Sequence, residues 1–164
     1  MNWKRLLRHY TTGDWQIRRH FGSSGLLRIR EAIAAAESGH TGEIRFALEA
    51  SLPPWDAFRN VSPRARAVDT FSSFRVWDTE HNNGILLYLL LADRDIEIVA
   101  DRGIAARVEQ HEWEKICRTM EQKFANGHYT EAVIEGIETV STILRKHFPG
   151  AGGPNELADE PIII

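Results

Sequence analysis

The stretch Gly84-Ile85-Leu86-Leu87-Tyr88-Leu89-Leu90-Leu91-Ala92-Asp93-Arg94-Asp95-Ile96-Glu97-Ile98-Val99-Ala100 decides the fold. Ile85 to Ala92 is apolar throughout, as expected of a strand covered on both faces. A membrane-spanning helix needs ~20 apolar residues, so this run is far too short to be one. Asp93-Arg94-Asp95 is a tight polar connection, and Ile96 to Ala100 returns as the second arm of a hairpin.

Upstream, Glu43 to Leu52 alternates. Ile44, Phe46, Leu48 and Ala50 face one way and Arg45 and Glu49 the other, which reads as a strand stopped by Pro53-Pro54. Ser62-Pro63 has the form of an N-cap followed by proline at the first helical position. The helix it opens carries Ala67, Phe71 and Phe74 inward. Leu26, Ile29, Ile33 and Ala36 mark an earlier helix, ended near Gly39. Downstream, Trp113, Ile116, Cys117, Met120 and Phe124 form one helical stripe, and Tyr129, Val133, Ile137, Val140 and Leu144 form another. Strand, helix, strand implies a parallel crossover, and the hairpin adds an antiparallel neighbour. The expected fold is a three-layer α/β/α sandwich with a small mixed sheet and helices on both faces.

The chain has 164 residues and 43% hydrophobic content, enough for one domain with a real core. Its single cysteine, Cys117, excludes an intrachain disulfide framework and suits a reducing compartment. No apolar signal-peptide core follows the basic start, so the expected location is the cytoplasm. Residues 1–22 read as a basic amphipathic arm, 23–150 as the domain and 151–164 as a tail. The first thirty residues hold Lys4, Arg5, Arg8, Arg18, Arg19, Arg28 and Arg30 against Asp14 alone, on an otherwise acidic chain.

The topology brings distant polar residues to one sheet edge. Glu43 opens the first strand, Asn83 the second, and Asp101 follows the third as it returns. Asp78, Thr79 and Glu80 lie in the loop entering the second strand. Glu43, Asp78, Asn82, Asn83 and Asp101 are therefore the candidate metal ligands, with Glu80 close by. Such oxygen donors suit a hard cation, Ca2+ or Mg2+. The alternative is that these acids are solvated loop residues. A rival site lies at the opposite edge, near Ser51 and Asp93-Arg94-Asp95, where parallel sheets usually bind ligands.

The seven histidines show no paired metal spacing. Nucleophile elbow, phosphate-cradling glycine loop and CxxC are all missing from the sequence, so nucleotide, flavin and haem are not expected. Trp3, Leu6, Leu7 and Tyr10 recur at helical spacing among Lys4, Arg5 and Arg8. The arm has three readings: contact with an anionic membrane surface, nucleic-acid binding, and a helix docked by its apolar stripe with its charges in water. The last is the expectation, and nucleic acid is disfavoured because no stacking aromatics interleave with the charges.

Several segments resemble the TPM domain family: His40-Thr41-Gly42-Glu43-Ile44-Arg45, Trp77-Asp78-Thr79-Glu80-His81-Asn82-Asn83-Gly84, Ala92 to Ile104, and the Phe124-Gly127-Tyr129 junction. The resemblance spans about residues 26–160. It implies an α/β/α sandwich, and it implies either acid phosphatase activity with calcium binding or an accessory role beside membrane complexes, including LemA-type neighbours. Many members open with an Asp-Asp pair where this chain has Phe21-Gly22-Ser23-Ser24-Gly25. Many also carry a signal peptide and a transmembrane helix, and their absence here points to a soluble bacterial branch. The resulting expectation is an accessory or partner-binding domain that takes a divalent cation. The alternative is a metal-dependent phosphomonoesterase with Arg102 or Arg75 clamping phosphate.

Overall fold

The computed structural model describes residues 2–152 and 154–164. Its centre is a four-stranded mixed sheet in the order β3-β2-β1-β4. β1 (Glu43–Glu49) and β2 (Gly84–Leu90) run parallel, with Glu43 opposite Gly84 and Glu49 opposite Leu90. β3 (Asp95–Ala100) is antiparallel to β2, so the hairpin forms as read. All of β2 is buried, as its unbroken apolar run requires.

Alternation along β1 sends residues to two different cores. Ile44, Phe46 and Leu48 join Ile85, Leu87 and Leu89 under α3 (Gly22–Glu37), α7 (Gln110–Ala125) and α8 (Tyr129–His147). Ala47 joins Leu86, Tyr88 and Leu90 on the other face, covered by α5 (Pro63–Ser73). Helices therefore lie on both faces, and the architecture is the expected three-layer sandwich.

Four local readings change. The loop expected at Phe21–Gly25 is helical: α2 (Asp14–His20) leads almost directly into α3. Packing overrides the weak helix propensity of Gly-Ser-Ser-Gly, because Phe21 is buried against Phe46 and Tyr129, with ring centroids 6.4 and 5.9 Å away. Pro53-Pro54 ends β1 but also starts a short helix, α4 (Pro54–Phe58), with proline at its first position. Phe74 caps α5 and is exposed, whereas Ala67 and Phe71 point inward. The apolar end of the chain forms a strand, β4 (Ile162–Ile163), which pairs in parallel with Ala47 and Leu48 of β1.

The largest change concerns α1 (Trp3–Thr11). The helix exists, but it docks by its charges. Arg5 donates to Asp93 through Nε and Nη2 at 2.9 and 2.8 Å, Arg8 also binds Asp93, and His9 Nε2 lies 3.3 Å from it. His9 Nδ1 accepts from the Leu52 N–H at 3.1 Å. Trp3, Leu7 and Tyr10 are left 64–86% exposed. The expected polarity, apolar stripe inward and charges outward, is largely reversed, with Leu6 alone of the stripe packed on the core. A half-buried carboxylate at the β2–β3 turn is a stronger anchor for two guanidinium groups and an imidazole than shallow apolar contact.

Candidate functional site

The strand register assembles the expected edge. Glu43 pairs with Gly84, the Glu43 N–H donates to the Asn83 carbonyl at 3.1 Å, and the Asp101 N–H donates to the Gly84 carbonyl at 2.9 Å. Two glycines permit this close approach. A Cβ on Gly84 would fall 2.0 Å from the Val76 carbonyl oxygen, and one on Gly103 would fall 2.5 Å from that of Asn82. Asn82 adopts a positive φ of 53°, which asparagine tolerates better than most residues.

The five candidate ligands have different fates. Asn83 is fully buried: its Nδ2 donates to the Thr41 carbonyl, its N–H donates to Thr79 Oγ1 at 3.0 Å, and its Oδ1 has no partner. Asp101 is buried, and its Oδ1 caps α6 (Arg102–Ala105) by accepting from the Arg102 N–H at 2.7 Å. Its Oδ2 also has no partner. Asn82 Oδ1 accepts from Arg102 Nε at 2.8 Å. Asp78 is exposed and pairs with Arg75 at 2.7 Å. Glu43 is buried, and its Oε2 accepts from the Leu157 N–H at 3.2 Å. Glu80 enters through its backbone, donating to Glu156 Oε2 at 2.9 Å.

The edge thus divides in two. Glu43 faces the tail, beside a cavity of about 240 Å³ lined by Glu37, His40, Glu43, Asn155 and Asp159. Burial, opposed by backbone hydrogen bonds and aided by Glu156 and Asp159, pushes the Glu43 carboxyl up. Burial pushes Glu37 up to about 8, although its Oε1 accepts from the Ile44 N–H at 2.6 Å. It also pushes His40 down to about 4; Nδ1 accepts from the Gly42 N–H, and Nε2 is buried without a partner. Asn83 and Asp101 supply the free oxygens. Among the described residues, no three His, Cys, Asp or Glu side chains are grouped to hold a metal ion. Asn83 Oδ1 and Asp101 Oδ2 are the two unpartnered oxygens this edge could offer a cation.

The rival edge is occupied differently. Asp93 anchors α1: burial raises its carboxyl, but hydrogen bonds from His9, Arg5 and Arg8 outweigh that and hold it well below the usual range. Asp95 is pushed up to about 7, chiefly by burial and then by Glu97, Glu121 and Asp93. Cys117 is buried, and burial followed by nearby carboxylates pushes its thiol up to about 12, which disfavours the thiolate.

Sequence reasoning gave no site role to Asn155 and Asp159, which close the tail-side cavity. It also left Trp55 and Phe58 unread. Their only signal was two aromatics three residues apart after Pro53-Pro54.

A family model described as the TPM domain matches residues 23–143. The chain belongs to the TPM domain family. The fold of this TPM domain is similar to the NMR structure of the BA42 protein from the psychrophilic bacterium Bizionia argentinensis. That likeness has a TM-score of 0.74 at 26% identity, covering 87% of this chain and 94% of that one. It also resembles the N-terminal domain of a P. gingivalis protein, with a TM-score of 0.61 at 20% identity over 78% of this chain and 81% of that one. No curated protein matches. Among the described residues of this TPM domain, no helix is long and apolar enough to cross a membrane.

Proposed function

We propose that this TPM domain is an accessory, partner-binding domain that takes a divalent cation, Ca2+ or Mg2+, where β1 and β2 begin. One observation carries the cation: Asn83 Oδ1 and Asp101 Oδ2 are buried oxygens without partners at the same edge. Leaving such an atom unsatisfied costs roughly 1–3 kcal/mol, and a hard cation supplies the missing partner. Glu43 serves from outside, holding the tail through backbone N–H groups. The inert Cys117 thiol fits a domain without nucleophilic turnover and fits the reducing cytoplasm. Partners of a membrane-associated complex, of the TPM or LemA kind, follow from family analogy.

A second reading, a metal-dependent phosphomonoesterase, has one observation in its favour. Arg102 is exposed at this edge and oriented by Asn82 Oδ1, so it is the side chain that a phosphate would meet beside a bound cation. One set of samples separates the two readings. Ca2+ and Mg2+ are titrated into the chain and into Asp101→Asn, which retains a helix-capping oxygen. Melting is followed, and a generic phosphomonoester is assayed. The accessory reading expects an ion-dependent rise in Tm that the variant lacks, with no turnover. Ion-dependent turnover lost in Asp101→Asn would establish the phosphatase instead, and no response to either ion would sink the cation site.

A further inference from the structure

Because α1 is held by Arg5, Arg8 and His9, most of its apolar side is turned out, with Leu6 alone packed on the core. Trp3, Leu7 and Tyr10 face α4 across an open cleft of about 810 Å³. On the far wall Trp55 and Phe58 are stacked, with centroids 5.5 Å apart, and are 60% and 48% exposed. Leu52 and Ala57 line the cleft as buried side chains. Among the described residues, no carboxylate lines it. Cations flank it instead: Arg59 lies 5.0 Å over the Trp55 ring, and Lys4 is exposed on α1 beside Trp3. Of the acids on the surrounding elements, Asp56 is half-buried, Asp93 is already engaged by three basic groups, and Asp14 is exposed at the start of α2, just beyond Thr12 of the lining.

We infer that this cleft is a peripheral docking surface for an anionic lipid bilayer. A surface helix ordinarily buries its apolar stripe, and here Trp3, Leu7 and Tyr10 are presented while Leu6 alone packs inward. Tryptophan and tyrosine with leucine, flanked by lysine and arginine, is the composition that seats at the boundary between headgroups and acyl chains. The positive charge argues against a second copy as the occupant, because self-association would bring Lys4 and Arg59 of both copies together. The same charge favours phosphatidylserine-type headgroups. This inference rests on exposed residues at the end of the sheet opposite Asn83 and Asp101, and it stands or falls independently of the cation site.

The test uses the whole chain with phosphatidylcholine vesicles, with and without phosphatidylserine. Co-sedimentation and tryptophan emission are followed, with sedimentation equilibrium run in the absence of lipid. Binding is expected to be at least tenfold tighter to the anionic vesicles, to weaken with added salt, and to shift the emission to the blue. Leu7→Asp and Trp55→Asp replace exposed side chains. They should keep the wild-type circular dichroism and melting while losing at least tenfold in binding, and Lys4→Glu with Arg59→Glu should abolish the preference for anionic lipid. Three results would overturn the inference: no sedimentation with anionic vesicles, binding unchanged in the folded variants, or a lipid-independent dimer that Trp55→Asp dissolves.

Discussion

At β1, the first and last residues serve different purposes. Glu43 opens the strand at the candidate edge, whereas Glu49 ends it inside the domain, 2% exposed. Arg66 binds both oxygens of Glu49 at 2.8 and 2.9 Å, and the Tyr88 hydroxyl donates at 2.5 Å. That arrangement satisfies the buried charge and holds α5 to the sheet. Glu49→Ala would leave Arg66 and Tyr88 without their acceptor. Removing one partner of a buried ion pair costs about 3–5 kcal/mol, and chemical denaturation should show a loss of that size with an unchanged m-value. Tyr88→Phe removes a single hydrogen bond to that carboxylate and should cost about 1.5–3 kcal/mol. The sequence shows Glu49 only as the polar member of an alternating strand. Its partners lie on α5 and β2, and nothing within β1 reveals them.

Among the elements, α1 shows where a sequence pattern stops being informative. Spacing located the helix, since Trp3, Leu6, Leu7 and Tyr10 recur at helical intervals. Its orientation depended on Asp93, a turn residue far along the chain whose carboxylate collects Arg5, Arg8 and His9. The same aspartate stands at the rival edge named from the sequence. Asp93→Ala should release α1 at a cost of about 3 kcal/mol, because the side chains of Arg5 and His9 are only 11% and 2% exposed. Limited proteolysis would then cut between α1 and α2 before the remainder melts. If proteolysis leaves the arm intact, Leu6 and the apolar contacts with α4 hold it instead. The central hairpin behaves oppositely: the unbroken run Ile85–Ala92 and the Asp93–Asp95 turn carry their own instructions, so its reading and its structure coincide.

For the molecule as a whole, the tail-side cavity couples stability to pH at both ends. Glu37 holds its proton up to about 8 in the folded chain against 4.5 as the ordinary value. Its contribution is therefore full below about 4.5 and is lost as pH rises through about 8. His40 is held neutral down to about 4, so its contribution is present above 6.5 and is lost as pH falls through about 4. Glu37→Gln keeps an acceptor for the Ile44 N–H and should raise Tm above pH 8 while changing little at pH 5. An equal effect at both pH values would show that Glu37 acts through packing rather than charge. The layers and register were legible because they follow from periodicity. The burial of Asn83 and Asp101, which turns two ordinary loop residues into the edge's free oxygens, depends on the close approach that Gly84 and Gly103 allow, and no local pattern encodes it.

β4 has a consequence for the order in which the molecule is completed. β2 and β3 meet across a short turn, and β1 reaches β2 through one crossover, but Ala47 waits for Ile162 from the far end of the sequence. Closing so long a loop is slow relative to making nearby contacts. The outer edge of β1 should therefore be the last part of the sheet to acquire hydrogen bonds and the first to surrender them. In hydrogen exchange, the Ile164 amide, bonded to the Leu48 carbonyl at 3.0 Å, would exchange through a local opening. The amides of β2 would wait for global unfolding.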